Sequence, residues 1–108
     1  MIRQSEEKNG INVITIGPLT NVAIALLTRQ SLKINKLVVM GGTSYASGNV
    51  RPSAEFNVHT DPEAAHIVFE RVPFLTLVPW ETCFKNKFEH QWIIDWIQGD
   101  SDIKRLLQ

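Results

Sequence analysis

Asn49, Glu55 and Asn57 are the residues of this sequence whose types and spacing best suit chemistry. They lie in a polar, turn-rich stretch, Gly48-Asn49-Val50-Arg51-Pro52-Ser53-Ala54-Glu55-Phe56-Asn57, which runs on into Thr60-Asp61-Pro62-Glu63-Ala64-Ala65. An amide side chain both donates and accepts hydrogen bonds, and a carboxylate accepts strongly, so the three suit recognition of a polar ligand. In an extended backbone, alternation would put Glu55 and Asn57 on one side and Phe56 on the other. A plainer reading stands beside this one: Asn next to Gly is a common turn pair, and Asn49 then serves only the loop.

The elements that must position these residues follow from hydrophobic patterning. Val13-Ile14-Thr15-Ile16 is a β-branched run stopped by Gly17-Pro18 and reads as a buried strand. Pro18 suits the first turn of a helix, along which Leu19, Val22, Ala23, Leu26 and Leu27 recur at helical spacing. Leu37-Val38-Val39-Met40 is a second strand ended by Gly41-Gly42, and residues 43–60 are expected to form one long loop of the kind that often carries function. A helix follows to about Arg71, opened either by Asp61 with Pro62 behind it or by a Thr60–Glu63 capping box. Phe74-Leu75-Thr76-Leu77-Val78 is the third strand, closed by Pro79. Phe88, Trp92, Ile93, Trp96 and Ile97 mark one face of an amphipathic helix ending near Gly99, and a last short helix is expected through Leu107.

The order β-α-β-loop-α-β-α-α predicts an α/β fold with a mostly parallel, Rossmann-like sheet and flanking helices, as one domain over residues 1–108. Ligands of such sheets sit beyond the carboxyl ends of the strands. Here those ends are Ile16-Gly17, Met40-Gly41-Gly42 and Val78-Pro79-Trp80-Glu81, which should share one edge.

Composition narrows the classes of function. Eleven basic residues balance eleven acidic ones, so the electrostatic footprint of a nucleic-acid binder is missing. No apolar run approaches the roughly 20 residues of a membrane span, and the charged start is unlike a signal peptide. A single cysteine, Cys83, excludes an internal disulfide and fits a cytoplasmic setting. His59 and His66 read as surface or loop residues, Cys83 as a small buried or semi-exposed residue, and Trp92 and Trp96, four apart, as packing residues. Glu81, an acid at a strand end, is a further candidate for a polar role.

Three blocks in order, Thr15-Ile16-Gly17-Pro18-Leu19-Thr20-Asn21-Val22-Ala23, Val39-Met40-Gly41-Gly42 and Gly48 through Ala65, resemble consecutive blocks of the inosine/uridine-preferring nucleoside hydrolases. The resemblance is strongest over residues 10–80 and implies a partial nucleoside hydrolase fold. It implies that Met40, Asn49, Glu55, Phe56 and Asn57 contact the nucleoside, chiefly its ribose, and that the backbone carbonyl of Ile16 is one ligand of a calcium ion. The complete enzyme would use a calcium-bound water to hydrolyse the N-glycosidic bond of purine or pyrimidine ribonucleosides. Positive charge builds on the ribose in that reaction, and carboxylates and oriented amides stabilise it.

Departures from the family pattern qualify that expectation. The family's N-terminal Asp-x-Asp-x-Gly-x-Asp-Asp motif has no counterpart, the only acids before Ile16 being Glu6 and Glu7. The family's His-Asp pair is also absent, since His90 and Asp95 do not stand in that context, and Arg51 replaces a small hydroxylated residue. The chain is therefore expected to correspond to a central slice of the family's domain, to carry no catalytic residue, to be inactive alone and not to retain calcium. An alternative is a non-catalytic ribose-binding remnant, or a subunit that needs a partner chain. A homo-oligomer is a further expectation from the family.

Overall fold

A computed structural model describes residues 10–98 of the protein, with side chains to residue 94. Three strands, β1 (Ile11–Thr15), β2 (Ile34–Met40) and β3 (Leu75–Val78), form one sheet in the order β1-β2-β3, and both pairings are parallel. Helix α1 (Thr20–Thr28) connects β1 to β2. Helices α2 (Phe56–Thr60) and α3 (Pro62–Arg71) lie between β2 and β3, and α4 (Trp80–Lys85) and α5 (His90–Gln98) follow. The α/β fold with a parallel sheet is thus as the strand-helix alternation predicts. The last helix expected through Leu107, and the segment of Glu6 and Glu7, lie outside the described residues.

Several boundaries shift from the sequence expectation. Strand β2 begins three residues before the apolar run, because pairing with β1 carries Ile34, Asn35 and Lys36 into the sheet. Pro18 precedes α1 instead of opening its first turn, and the Leu19 carbonyl accepts the first bond, from Ala23 N–H at 2.9 Å. At α3 the open choice resolves to Asp61, whose carboxylate accepts from Ala64 N–H at 3.0 Å, with Pro62 in the first turn. The loop expected over 43–60 is broken by α2, so it ends at Glu55.

The core lies on one face of the sheet. Leu37 and Val39 of β2, fully buried, meet Leu19 and Ala23 at the start of α1 and Ala64, Ala65, Val68 and Val72 from α3. Helices α1 and α3 pack on each other over that face, the small Ala23, Ala64 and Ala65 allowing close approach. Asp61 links their N-terminal ends by accepting a hydrogen bond from the Thr20 hydroxyl. The other face presents Ile14 of β1, 75% exposed, and Ile16 just past it, 82% exposed. Among the described residues, then, the parallel sheet is covered on one side only, although parallel sheets are usually covered on both.

Candidate functional site

Parallel pairing brings the carboxyl ends of the three strands to one rim, as expected, and the chain there is tied across strands. Gly41 N–H donates to the Val78 carbonyl at 3.2 Å, and Trp80 N–H donates to the Gly42 carbonyl at 2.9 Å. Gly42 has φ +71°, a left-handed conformation that glycine adopts without a Cβ penalty, and there the chain leaves β2 for the loop.

Glu55 is the organising residue of this rim. Only 3% exposed, it is the N-cap of α2, and its carboxylate accepts from Asn57 N–H at 2.9 Å and Val58 N–H at 3.2 Å. It also accepts from Gly42 N–H at 2.7 Å, so one side chain joins the end of β2 to the start of α2. Three N–H donors occupy three of the roughly four acceptor sites of a carboxylate, leaving one for a ligand hydroxyl.

The two amides also have defined partners. Asn57, buried in the first turn of α2, donates from Nδ2 to the Met40 carbonyl at 3.0 Å and to Met40 Sδ at 3.2 Å. Asn49, exposed, accepts from Phe56 N–H at 2.8 Å, and the Phe56 ring is half-exposed beside it. Met40, Asn49, Glu55, Phe56 and Asn57 are thereby linked into one cluster at the end of β2. The condition for alternation, an extended Glu55-Phe56-Asn57, is not met: the backbone turns helical at Phe56 behind the Glu55 cap.

Asn49 is carried by a tight turn over residues 48–54. Gly48 N–H donates to the Pro52 carbonyl at 3.0 Å, and Asn49 N–H to the Ala54 carbonyl at 3.1 Å. A Cβ at position 48 would collide with the Arg51 and Ala54 backbone, which explains the glycine.

The residue whose part sequence reasoning left undefined is Glu81, in the first turn of α4 and 2% exposed. Its Oε1 accepts from the Ser44 hydroxyl at 2.6 Å, Ser44 N–H at 3.0 Å and Tyr45 N–H at 3.3 Å, and Thr43 Oγ1 lies 3.1 Å from Oε2. The Ser44 hydroxyl above all holds this carboxyl down at about 2. The available signal was an acid directly after a strand end facing a loop rich in hydroxyls. Lys85, one turn on, donates to Tyr45 Oη at 3.0 Å, and that bond raises it above its usual range. A concavity of about 380 Å³ opens between the loop and α4, walled by Tyr45, Asn49, Trp80, Phe84 and Lys85.

The remaining candidates stand apart from the cluster. Ile16 lies just beyond β1 at the rim, its side chain in solvent. His59 and His66 are exposed, His66 lying 3.5 Å from Glu70 one turn along α3, and Cys83 is half-buried in α4. Phe88 and Trp92 stack at 4.8 Å on the outside, whereas the side chain of Trp96 lies outside the described residues.

A calcium ion takes 6–8 oxygen ligands. The rim offers the Ile16 carbonyl and one remaining acceptor site on Glu55, while the carboxylate of Glu81 is committed to the N–H and O–H donors of the loop. No group of three or more His, Cys, Asp or Glu is placed to hold a metal among the described residues. The donor set described does not fit a calcium site by itself.

Comparison with known proteins bears on what this rim is for. The family model described as inosine-uridine preferring nucleoside hydrolase matches residues 1–108. Over 67 residues the chain is 51% identical to a probable uridine nucleosidase 2 of Oryza sativa subsp. japonica, an alignment covering 60% of this chain and 20% of that protein. It is 48% identical over 61 residues to a pyrimidine-specific ribonucleoside hydrolase, RihB, of Escherichia coli O1:K1 / APEC, covering 55% of this chain and 19% of that one. Among solved structures, the plant nucleoside hydrolase PpNRh1 superposes with a TM-score of 0.81 at 30% identity, over 93% of this chain and 32% of that chain. A Bacillus anthracis inosine-uridine preferring nucleoside hydrolase gives 0.70 at 30% identity, over 82% and 32%. The chain thus spans about a fifth of the curated relatives and about a third of the solved structures.

Proposed function

Because this chain belongs to the inosine-uridine preferring nucleoside hydrolase family, we propose that it supplies the ribose-gripping rim of an enzyme that hydrolyses the N-glycosidic bond of ribonucleosides. The observation that carries the reading is the single hydrogen-bonded cluster of Met40, Asn49, Glu55, Phe56 and Asn57 at the end of β2. In this proposal the Glu55 carboxylate accepts a sugar hydroxyl, the amides of Asn49 and Asn57 complete the polar grip, and Met40 and Phe56 lie against the apolar parts of the nucleoside. Relatives named for uridine and pyrimidine ribonucleosides support a pyrimidine nucleoside as the first substrate to test.

The chemistry of the described residues is binding and orientation. Negative charge and oriented dipoles around the ribose favour the oxocarbenium-like transition state. None of the described residues is assigned the part of a general base, and the chain by itself is proposed to be inert. Among the described residues, the Ile16 carbonyl would be the one to meet calcium in the complete enzyme. The enzyme is proposed to work in the cytoplasm as a homo-oligomer. A second reading, a ribose-binding subunit completed by another polypeptide, is favoured by one observation: the sheet face bearing Ile14 and Ile16, left exposed by the described residues.

Nuclear magnetic resonance titration of the isotopically labelled chain with uridine, with base release followed in parallel, tests both statements. Expected are shifts centred on Asn49, Phe56 and Asn57, abolished in Glu55→Ala, with no base released. Unmoved signals at saturating uridine would sink the ribose reading, and turnover that disappears in Glu55→Ala would overturn the claim of inertness.

A further inference from the structure

We propose that Glu81 is a positioning residue for Asn49, fixing the loop from which the nucleoside contact projects. The inference rests on the reading of Asn49 as a sugar contact. It begins from a burial that needs a reason. A carboxylate 2% exposed has lost its water and must be compensated by donors. The donors around Glu81 are nearly all supplied by the loop: Ser44 through its N–H and hydroxyl, Tyr45 through its N–H, and Thr43 through a hydroxyl that lies between Glu81 Oε2 and the Ala46 carbonyl, 2.9 Å away. Three consecutive loop residues are thus registered on one anion borne by another element, 37 residues away at Ser44.

The consequence reaches Asn49 along the chain and across the concavity. Upstream, the loop's origin is pinned where Trp80 N–H meets the Gly42 carbonyl, so loop and α4 share two anchor points. Downstream, the 48–54 turn is internally bonded, with Asn49 at its start and its Oδ1 holding Phe56 N–H. Tyr45 and Asn49 wall the same concavity as Trp80 and Phe84, and Lys85 of α4 holds the Tyr45 hydroxyl from outside. With residues 43–45 released from Glu81, the 48–54 turn keeps its own bonds but loses its fixed distance from α4.

Glu81→Gln keeps the shape and replaces one acceptor oxygen by a donor. With its oxygen toward Ser44 and its amide toward Thr43, whose hydroxyl can accept while donating to the Ala46 carbonyl, the glutamine keeps the contacts but loses the charge that strengthens them. The experiment measures amide exchange, chemical shifts and uridine affinity of the full 108-residue chain for wild type, Glu81→Gln and the double variant Thr43→Val with Ser44→Ala. Expected are Ser44 and Tyr45 amides exchanging at least roughly tenfold faster, displaced signals for the Asn49 side-chain amide and Phe56 N–H, and a uridine Kd raised roughly tenfold. Ala64 and Val68 should keep wild-type exchange, showing the core intact. The double variant removes the hydroxyl donors without touching α4, so it gives the same reading should Glu81→Gln fail to fold. Faster exchange at Ser44 with unmoved Asn49 signals and unchanged Kd would overturn the inference, since an acid serving only the scaffold behaves that way. If the wild-type chain binds no uridine, the sugar-contact reading itself fails. Unmoved Asn49 signals in a chain that does bind uridine defeat the positioning claim alone.

Discussion

The side-chain amide of Asn57 lies 3.0 Å from the carbonyl oxygen of Met40 and 3.2 Å from its sulfur, fastening the first turn of α2 to the last residue of β2. That carbonyl belongs to the last paired residue of β2, opposite Val78, and takes a hydrogen bond from a buried side chain. Asn57→Leu therefore removes a donor that the neighbouring apolar groups cannot replace. A loss of about 1–3 kcal/mol is expected, read as a lower urea midpoint at unchanged slope. A midpoint equal to wild type would show that the Met40 carbonyl finds another partner.

Glu55 serves two masters, the cap of α2 and the N–H of Gly42. Replacing it by alanine orphans three N–H groups at once, of Gly42, Asn57 and Val58. The expected cost exceeds the typical ~1 kcal/mol of an exposed cap. Hydrogen exchange at those three amides should accelerate together, and acceleration confined to Asn57 and Val58 would show that the strand-to-helix latch does not exist.

The pH dependence of stability follows from depressed carboxyl groups. Glu81 is pushed from 4.5 down to about 2 by the Ser44 hydroxyl first, and Asp61 is held below 3.8 by the Thr20 hydroxyl and then the Ala64 N–H. A carboxyl depressed on folding contributes stability above its unfolded value and loses it as pH falls through the folded one. Stability should therefore be level with respect to these two groups from neutrality to about pH 5 and fall between 4.5 and about 2. Denaturation midpoints across that window should fall less steeply in Glu81→Gln, and identical slopes would remove Glu81 from the account.

Gly48→Ala places a methyl group against the backbone of Arg51 and Ala54. The turn must open, at a cost of about 1–3 kcal/mol if it can be accommodated at all. The local readout is the Asn49 signal and the Phe56 N–H it holds. A well-dispersed spectrum with those two unmoved would refute the steric argument.

Much of the framework was legible because short apolar runs and helical spacing mark strands and helices, although the first run is not buried as expected, Ile14 and Ile16 being exposed. Val13 through Thr15, Leu37 through Met40 and Leu75 through Val78 all proved to be strands, and Asp61 with Pro62 opens α3. The five-residue α2 was illegible because it is too short for a periodic pattern and is capped by Glu55, not one of the residue types that signal an N-cap, whose further contact with Gly42 N–H is distant in sequence. The six-residue α4 escaped for the same reason, following a proline that reads only as a stop. For the site, residue types at 49, 55 and 57 pointed to hydrogen bonding, yet the partners that organise them are distant in sequence. The Glu81 clamp has no local signature, since its donors lie 36–38 residues away.

Among the described residues, the sheet that carries this rim is covered on one side only, with Ile14 and Ile16 presented outward. Such a layer is a natural half for split-protein reassembly. A second polypeptide able to lay apolar side chains over β1 would gain affinity from burying those two residues, and ribose binding at the rim could then be made to depend on bringing two halves together. Polar replacements such as Ile14→Ser would weaken that reunion while leaving the Leu37 and Val39 side of the sheet undisturbed.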